Sequence, residues 1–217
     1  MMAQLSLELR GRGLPVMELN EAEPLPGADV YLSMARGQFM LSQLAVRERQ
    51  GALVVNSTAA VSLCADRVAL EQRLRAAGID VPGSYQGSGP CWLKRRHAQG
   101  DVVFAADAQE LQRLLQRRNG LNGDEWTVSP HIEGDHVKFY GVAGTDFFRA
   151  YGADAPGLQS VATHAAQVAG LTVYGGDAIV RRDGSACLVD LNDWPSFSPC
   201  VCEAAEAIAG LIENKIH

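Results

Sequence analysis

The sequence predicts a mixed α+β fold, and three observations carry that prediction. Helical and extended patterns interleave through the first half of the chain. The second half sets short extended segments beside one another with turn residues between them, as antiparallel pairs require. Two of these runs, "TVYGGDAIV" (172–180) and "CLVDLN" (187–192), are joined by "RRDGSA", whose Asp-Gly is a strong hairpin signal.

Taken in order, residues 1–56 read as a short α/β unit. "ADVYLSM" (28–34) is extended, "GQFMLSQLAVRERQG" (37–51) carries apolar residues at helical spacing and stops at Gly51, and "ALVVN" (52–56) is extended again. Ser57 or Thr58 can cap a short helix, and Asp66 can cap "RVALEQRLRAAG", which closes at Gly78. Pro82 prevents the helix from continuing through "IDVP". "GSGP" (87–90) is a loop and "CWLKRR" (91–96) a strand. A further strand, a cap at Asp107 and a helix through Arg118 occupy "GDVVFAADAQELQRLLQRR". "EWTVSPHIEG" (125–134) is a strand leading to a connector. "HVKFYGVAG" and "DFFRAYG" form a hairpin around Gly144. "LQSVATHAAQVAG" (158–170) is a helix ended by Gly170, and "EAAEAIAGLIENKI" is a final amphipathic helix.

Composition bounds the function. The 217 residues suit one compact domain or two small ones sharing a core. A formal net charge of −6 argues against general nucleic-acid binding. No apolar run approaches the roughly 20 residues that span a membrane, and "MMAQLSLELRGRG" lacks the apolar core of a secretory signal. The five cysteines are odd in number and scattered, which fits reduced thiols in a cytoplasmic protein. Cys200 and Cys202 form a lone C-x-C, and His131, His136 and His164 do not complete an obvious zinc set with it.

One strand poses a chemical question. In "CLVDLNDW" the side chains alternate, so Asp190 and Asn192 point to one face and Leu191 to the other. A buried carboxylate without a partner costs several kcal/mol. The hairpin turn at Asp183–Gly184 places Asp177 across from residues close to Asp190, so three oxygen-bearing side chains converge. Two readings stand: hard oxygen ligands for Mg²⁺ completed by substrate phosphates and waters, or side chains that cap a loop or bind backbone amides. Positive charge lies nearby in sequence at Arg67, at Lys94 with Arg95, Arg96 and His97, and at Lys138. Each of these also reads as an ordinary solvated residue, and only together do they suggest an anion site.

These segments resemble the ATP-grasp superfamily. "VVNSTAAVSLCADRVALEQRLRAAGIDVPGSY" resembles its opening segment, "CWLKRR" the strand bearing its phosphate-binding lysine, "TVSPHIEGDHVKFYGV" its adenine hinge and following strand, and "YGGDAIVRRDGSACLVDLNDWPSF" its metal-binding close. The match covers roughly residues 52–200, and its nearest flavour is the short ligase-like and inositol-phosphate-kinase-like members. The resemblance implies two α+β subdomains clasping a nucleotide: a truncated N-terminal α/β segment at 1–56, a lid subdomain at 57–128 and a metal-binding subdomain at 129–217. It implies ATP and Mg²⁺ as cofactors. Lys94 and Arg67 would contact phosphates. The segment Ser129–Ile132, with His131, would meet adenine, and Asp135 or His136 would lie near the ribose. Asp177, Asp190 and Asn192 would hold the metal. Lys138, with Arg67, would serve the transferred phosphate or the acceptor.

Three departures accompany the resemblance. Arg67 stands where a second lysine is usual, keeping the charge with a different reach. Asp190 stands where Glu is commoner. The glycine-rich lid shrinks to "RRHAQGDVV", with Gly100 alone. The short N-terminal segment leaves room for a second copy or a partner subunit to complete the acceptor site. The implied activity is a ligase that turns a carboxylate into an acyl phosphate for attack by an amine or other nucleophile. The alternatives are a small-molecule kinase, in which Arg95, Arg96, Lys138 and Arg149 bind an anionic acceptor, and a non-catalytic nucleotide-binding subunit. The acceptor is a small-molecule carboxylate or hydroxyl compound. The loop "DWPSFSP" (193–199) is expected beside it, with Trp194 and Phe197 either touching substrate or packing on the core.

Overall fold

Three sheets organise residues 1–20, 23–97, 102–117 and 125–216, which the computed structural model describes. The first is a parallel pair, β1 (Val30–Leu32) beside β2 (Leu53–Val55), connected through α2 (Gln38–Arg49). The second runs β4 (Val102–Ala105), β3 (Cys91–Arg95), β5 (Trp126–Pro130), all antiparallel, with α5 (Ala108–Arg117) packed behind. The third runs β7 (Phe148–Gly152), β6 (Asp135–Val142), β8 (Val173–Val180), β9 (Ala186–Asp193), again antiparallel. Helices α3 (Thr58–Cys64), α4 (Arg67–Ala76) and α6 (Leu158–Ala169) cover one face of this last sheet. Helix α7 (Val201–Ile216) covers part of the other.

Local chemistry explains most boundaries. Ser57 Oγ accepts from the Ala60 amide at 3.2 Å and starts α3. Asp66 Oδ1 accepts from Val68 and Ala69 amides at 3.0 and 3.3 Å and starts α4, each the side-chain satisfaction that an orphaned helix N-terminus needs. Asp107 does the same for α5, accepting from the Glu110 amide at 2.8 Å. The expected end of that helix at Arg118 lies outside the described residues. Gly170 closes α6 with φ 73°, the left-handed geometry glycine adopts without a Cβ penalty.

The sequence reading assigns no helix to residues 2–11, and there the structure differs. Helix α1 (Met2–Gly11) packs along α7, burying Leu5 and Leu9. The two leucines lie one turn apart, so a single stripe docks, and Arg12 fastens it by donating to Glu213 at 2.6 Å. The stripe is short and the other positions are mixed, so the helix depends on α7 as its partner rather than on its own periodicity.

Two cores flank the third sheet. On one face Val137, Phe139, Ala178, Leu188 and Leu191 meet the alanine-rich side of α6 (Ala162, Ala165, Ala166, Ala169) and Leu70 and Leu74 of α4. Small side chains let α6 lie close to the strands. On the other face Tyr140, Val142 and Val173 meet α7, α1 and the loop after β9. This second cover reaches only part way along the strands. The uncovered remainder carries the polar residues described next.

Glycines set the spacing of this sheet. A Cβ on Gly176 would stand 2.2 Å from the Asp190 carbonyl oxygen and 2.7 Å from the Phe139 ring. The segment 79–82 lies beside the outer edge of β9, where the Leu188 amide donates to the Asp80 carbonyl at 2.9 Å. That edge is therefore covered rather than left open to another chain.

Candidate active site

The polar face is built on one row across the third sheet. Tyr151 on β7 opposes Lys138 on β6, Lys138 opposes Asp177 on β8, and Asp177 opposes Asp190 on β9. Neighbouring strands stand about 4.8 Å apart, so the row spans about 14 Å. The turn at Asp183–Gly184, with Gly184 at φ 82°, brings Asp177 close to Asp190 as expected, but next to the turn Val180 pairs with Ala186, and a one-residue shift between Asp177 and Ala178 makes Asp190 the direct partner of Asp177. Asn192, two residues past Asp190 on the same face, donates Nδ2 to Asp190 Oδ2 at 2.8 Å. The three oxygen-bearing side chains thus share one patch. The partners of the carboxylates are basic side chains. Lys138 Nζ lies 2.9 Å from Asp177 Oδ1, and His136 Nε2 lies 2.7 Å from the same oxygen. Arg67 NH1 donates to Asp190 Oδ1 at 2.7 Å.

The second sheet supplies the opposing wall. On β3, Cys91 and Leu93 are fully buried beneath α5, so Trp92 and Lys94 face the other way. Lys94 crosses to the third sheet and donates to the Val189 carbonyl at 2.9 Å. Val189 is available because the β8–β9 ladder slips by one residue between Asp177 and Ala178, a bulge that leaves Val189 outside the pairing. Arg67, the first residue of α4, donates Nε to the Arg95 carbonyl at 3.0 Å while holding Asp190, so it bridges both walls. Arg96 pins Asp66 with two hydrogen bonds of 2.9 and 2.7 Å, which fixes the start of α4 and hence Arg67. Between the walls lies a solvent-open cleft lined by Arg67, Lys94, Ser129, Leu188, Asp190 and Leu191 among others.

The electrostatics follow from position. Burial pushes the Lys94 ammonium pKa down, partly countered by Asp190. Burial also acts downward on Lys138, but the hydrogen bond and charge of Asp177 outweigh it and leave the pKa raised. Lys138 is therefore firmly cationic at neutral pH.

Other expected residues fall in different places. His131 sits at the far end of the second sheet, accepting at Nδ1 from Trp92 Nε1 at 3.1 Å and meeting the Phe104 ring edge-on. Ile132 follows it in the connector. Asp135 and His136 begin β6 and point to opposite faces by strand alternation, so His136 joins the polar row and Asp135 does not. Gly100 of the expected lid lies outside the described residues. Trp194 and Phe197 are buried, 4% and 0% exposed, and pack in the core against Tyr140, Phe147 and α7. They serve the fold, not a substrate. Cys200 is a free, buried thiol, and among the described residues no group of three or more His, Cys, Asp or Glu is arranged to hold a metal. Among the described residues the C-x-C therefore has no metal-ligating companions.

Several residues of the site escaped the sequence reading. The Val189 carbonyl is one, since a bulge leaves no mark in the residue pattern. Asp193 is another. It is 1% exposed and accepts from Arg36 at 2.5 Å, tying the first sheet to the end of β9. Its signal was available: Asp193 is a third polar residue in "DLND", on the face that Leu191 occupies.

The architecture is shared with solved proteins. A RimK-domain ATP-grasp protein from Sphaerobacter thermophilus is similar at 21% identity and TM-score 0.74, covering 96% of this chain and 93% of that one. The ATP-grasp ligase PsnB, solved with a minimal precursor, is similar at 16% identity and TM-score 0.72, covering 98% and 94%. The D-alanine–D-alanine ligase of Bacillus anthracis is similar at 13% identity and TM-score 0.69, covering 95% and 86%. No protein-family model and no curated protein matches the sequence. The chain has the ATP-grasp fold. Among the described residues no helix is long and apolar enough to cross a membrane.

Proposed function

We propose that the protein is an ATP- and Mg²⁺-dependent ligase that activates a carboxylate as an acyl phosphate for attack by an amine or other nucleophile. One observation supports this above the rest. Arg67 and Lys94 line an open cleft with Asp190, and Lys138, Asp177 and Asn192 extend the same polar face, with Arg67 paired to Asp190 and Lys138 to Asp177. Solved ligases share the fold, and one of them, PsnB, was solved with Mg and ADP.

The donor set fits the cation. Two carboxylates and an amide are hard oxygen donors, too few to enclose an ion, which suits Mg²⁺ shared with phosphates and water. Asp177, Asp190 and Asn192 would hold it, and when bound it neutralises phosphate charge. The remaining work falls to the chain. Lys94 exchanges the Val189 carbonyl for phosphate oxygens. Arg67 adds a second charge from the start of α4. Backbone groups of Ser129–Ile132 receive the adenine edge above Leu188 and Leu191. Lys138, held charged by Asp177, faces the transferred phosphoryl group. Such a site accelerates transfer by positioning and by charge complementarity prepared in advance.

The ligase reading is preferred to the kinase reading on charge placement. The latter asks Arg95, Arg96, Lys138 and Arg149 to gather around an anionic acceptor. Arg96 is instead matched to Asp66, Arg149 is matched to Glu203, and Arg95 lies over the Trp126 ring. Hydroxylamine trapping tests the choice. ATP-dependent hydroxamate formation with a carboxylic acid is expected, and a stable phosphorylated product with no hydroxamate would establish the kinase instead. Nucleotide binding with no turnover over a broad acid panel would leave only a nucleotide-binding subunit.

A further inference from the structure

The three oxygen-bearing side chains of the polar face are not held alike. Asp177 lies inside β8 and Asp190 inside β9, but Asn192 stands one residue from the end of β9. Its strand partner is Gly175, where a Cβ would stand 2.7 Å from Pro195 Cγ, so the chain folds back tightly over this end. Trp194 makes the turn at φ 43°, a left-handed conformation that a non-glycine residue keeps only where its surroundings impose it. Two ties from the first sheet impose it here. The Trp194 indole donates to the Val55 carbonyl at 3.1 Å. Arg36 donates to Asp193 Oδ1 at 2.5 Å. That carboxylate is 1% exposed, so removing the guanidinium would leave a buried charge uncompensated. The Asp193 amide is engaged as well, by the Cys64 sulfur of α3. Arg36 belongs to the loop between β1 and α2, and Val55 ends β2 at the same end of the parallel pair. The first sheet thus grips the two residues that follow Asn192, across 157 and 139 positions of chain.

We propose that Arg36 is a positioning residue for the metal site. It acts through Asp193: by anchoring that carboxylate it fixes the end of β9, and with it the direction of the Asn192 amide. Neighbouring strand residues point to opposite faces, so drawing Asp193 toward the core side sets Asn192 on the polar side. The amide is the donor most sensitive to this hold. A displaced carboxylate still attracts a cation through its charge, whereas a neutral carbonyl oxygen must be aimed. Mg²⁺ sharpens the demand, because it requires near-ideal octahedral geometry. Residues behind the ligands of a metal commonly set its affinity in this way. The inference deepens the reading of Asp177, Asp190 and Asn192 as Mg²⁺ donors and rests on it.

The test measures the affinity for a non-hydrolysable ATP analogue by calorimetry, once with Mg²⁺ and once with EDTA. The ratio of the two affinities is the metal enhancement. A tie that served packing alone would lower the melting temperature and leave this ratio unchanged. Arg36→Met is expected to reduce the ratio by about tenfold, with the metal-free affinity within about twofold of wild type. Arg36→Lys should restore part of it. Combining Arg36→Met with Asp193→Asn removes the unpaired buried charge, so this double variant carries the test if Arg36→Met alone does not fold, and it should show the same reduced ratio. Arg12→Met, which cuts the tie between α1 and α7 instead, should lower stability and keep the ratio. A wild-type ratio in folded Arg36→Met or in the double variant would overturn the proposal and leave the metal assignment standing. An equal fall in Arg12→Met would overturn it too. A wild-type protein with no metal enhancement would remove the metal assignment and the proposal together.

Discussion

Replacing Lys94 separates a nucleotide site from a mere bridge between sheets. In the free protein its ammonium donates 2.9 Å to the Val189 carbonyl across the cleft. Nucleotide binding would exchange that neutral acceptor for phosphate oxygens. A hydrogen bond to a charged group contributes about 1.5–3 kcal/mol, against about 1 kcal/mol for a neutral pair. The net loss on removing the ammonium is therefore about 0.5–2 kcal/mol, or roughly 2- to 30-fold in Mg·ATP affinity at about 1.4 kcal/mol per decade. Lys94→Met is the sharper substitution, because it keeps the apolar stem between the walls and deletes only the charge. Lys94→Arg should recover part of the affinity. Titration calorimetry with Mg·ATP measures the loss, and a melting curve confirms the fold. Because burial already disfavours the ammonium, Lys94→Met should not lower the melting temperature by more than a few degrees. Unchanged Mg·ATP affinity in Lys94→Met, with the fold intact, would refute the placement of phosphates beside β3.

Three further outcomes follow from the same geometry. Asp190→Ala and Asn192→Ala should each lower Mg²⁺-dependent ATP affinity, Asp190→Ala by roughly tenfold or more because it also strips Arg67 of its carboxylate; equal ATP affinity with and without Mg²⁺ in the wild type would sink the metal assignment. Asp66 is held down to about 2 by its hydrogen bonds to Arg96. A lowered carboxyl pKa means the folded state keeps the charged form, so its stabilisation is full above pH 3.8 and fades as the pH falls to about 2. At about 1.4 kcal/mol per unit the contribution is about 2 kcal/mol, and denaturant unfolding against pH should show Asp66→Asn losing that slope. Gly176→Ala would drive a methyl to 2.2 Å from the Asp190 carbonyl. Its cost of about 1–3 kcal/mol should appear as a drop of several degrees in melting temperature together with weaker Mg·ATP binding, and a wild-type melting curve would contradict the close approach of β8 to β9.

What the sequence determined by itself was local. Strand alternation placed Asp190 and Asn192 on one face, and an Asp-Gly turn brought Asp177 across from residues close to Asp190. Caps at Ser57, Asp66 and Asp107 marked three helix starts, because each cap is satisfied within a few residues of itself. These features depend on neighbours along the chain or across one tight turn, so the residue order carries them.

Tertiary structure alone decided what faces that hairpin. Lys94 lies 95 positions from Val189 and Arg67 lies 123 from Asp190. Which wall each cation joins depends on how the second sheet folds over the third. The bulge at Val189, the docking of α1 on α7 and the Arg36–Asp193 tie are likewise choices between distant surfaces. Trp194 and Phe197 show the limit most directly. An aromatic residue in a Pro-containing loop reads equally as a substrate contact or as core, and only the arrival of α7 and Tyr140 over that loop buries the two rings. Residue order carries the chemistry of each side chain, whereas burial and partnership are properties of the closed chain.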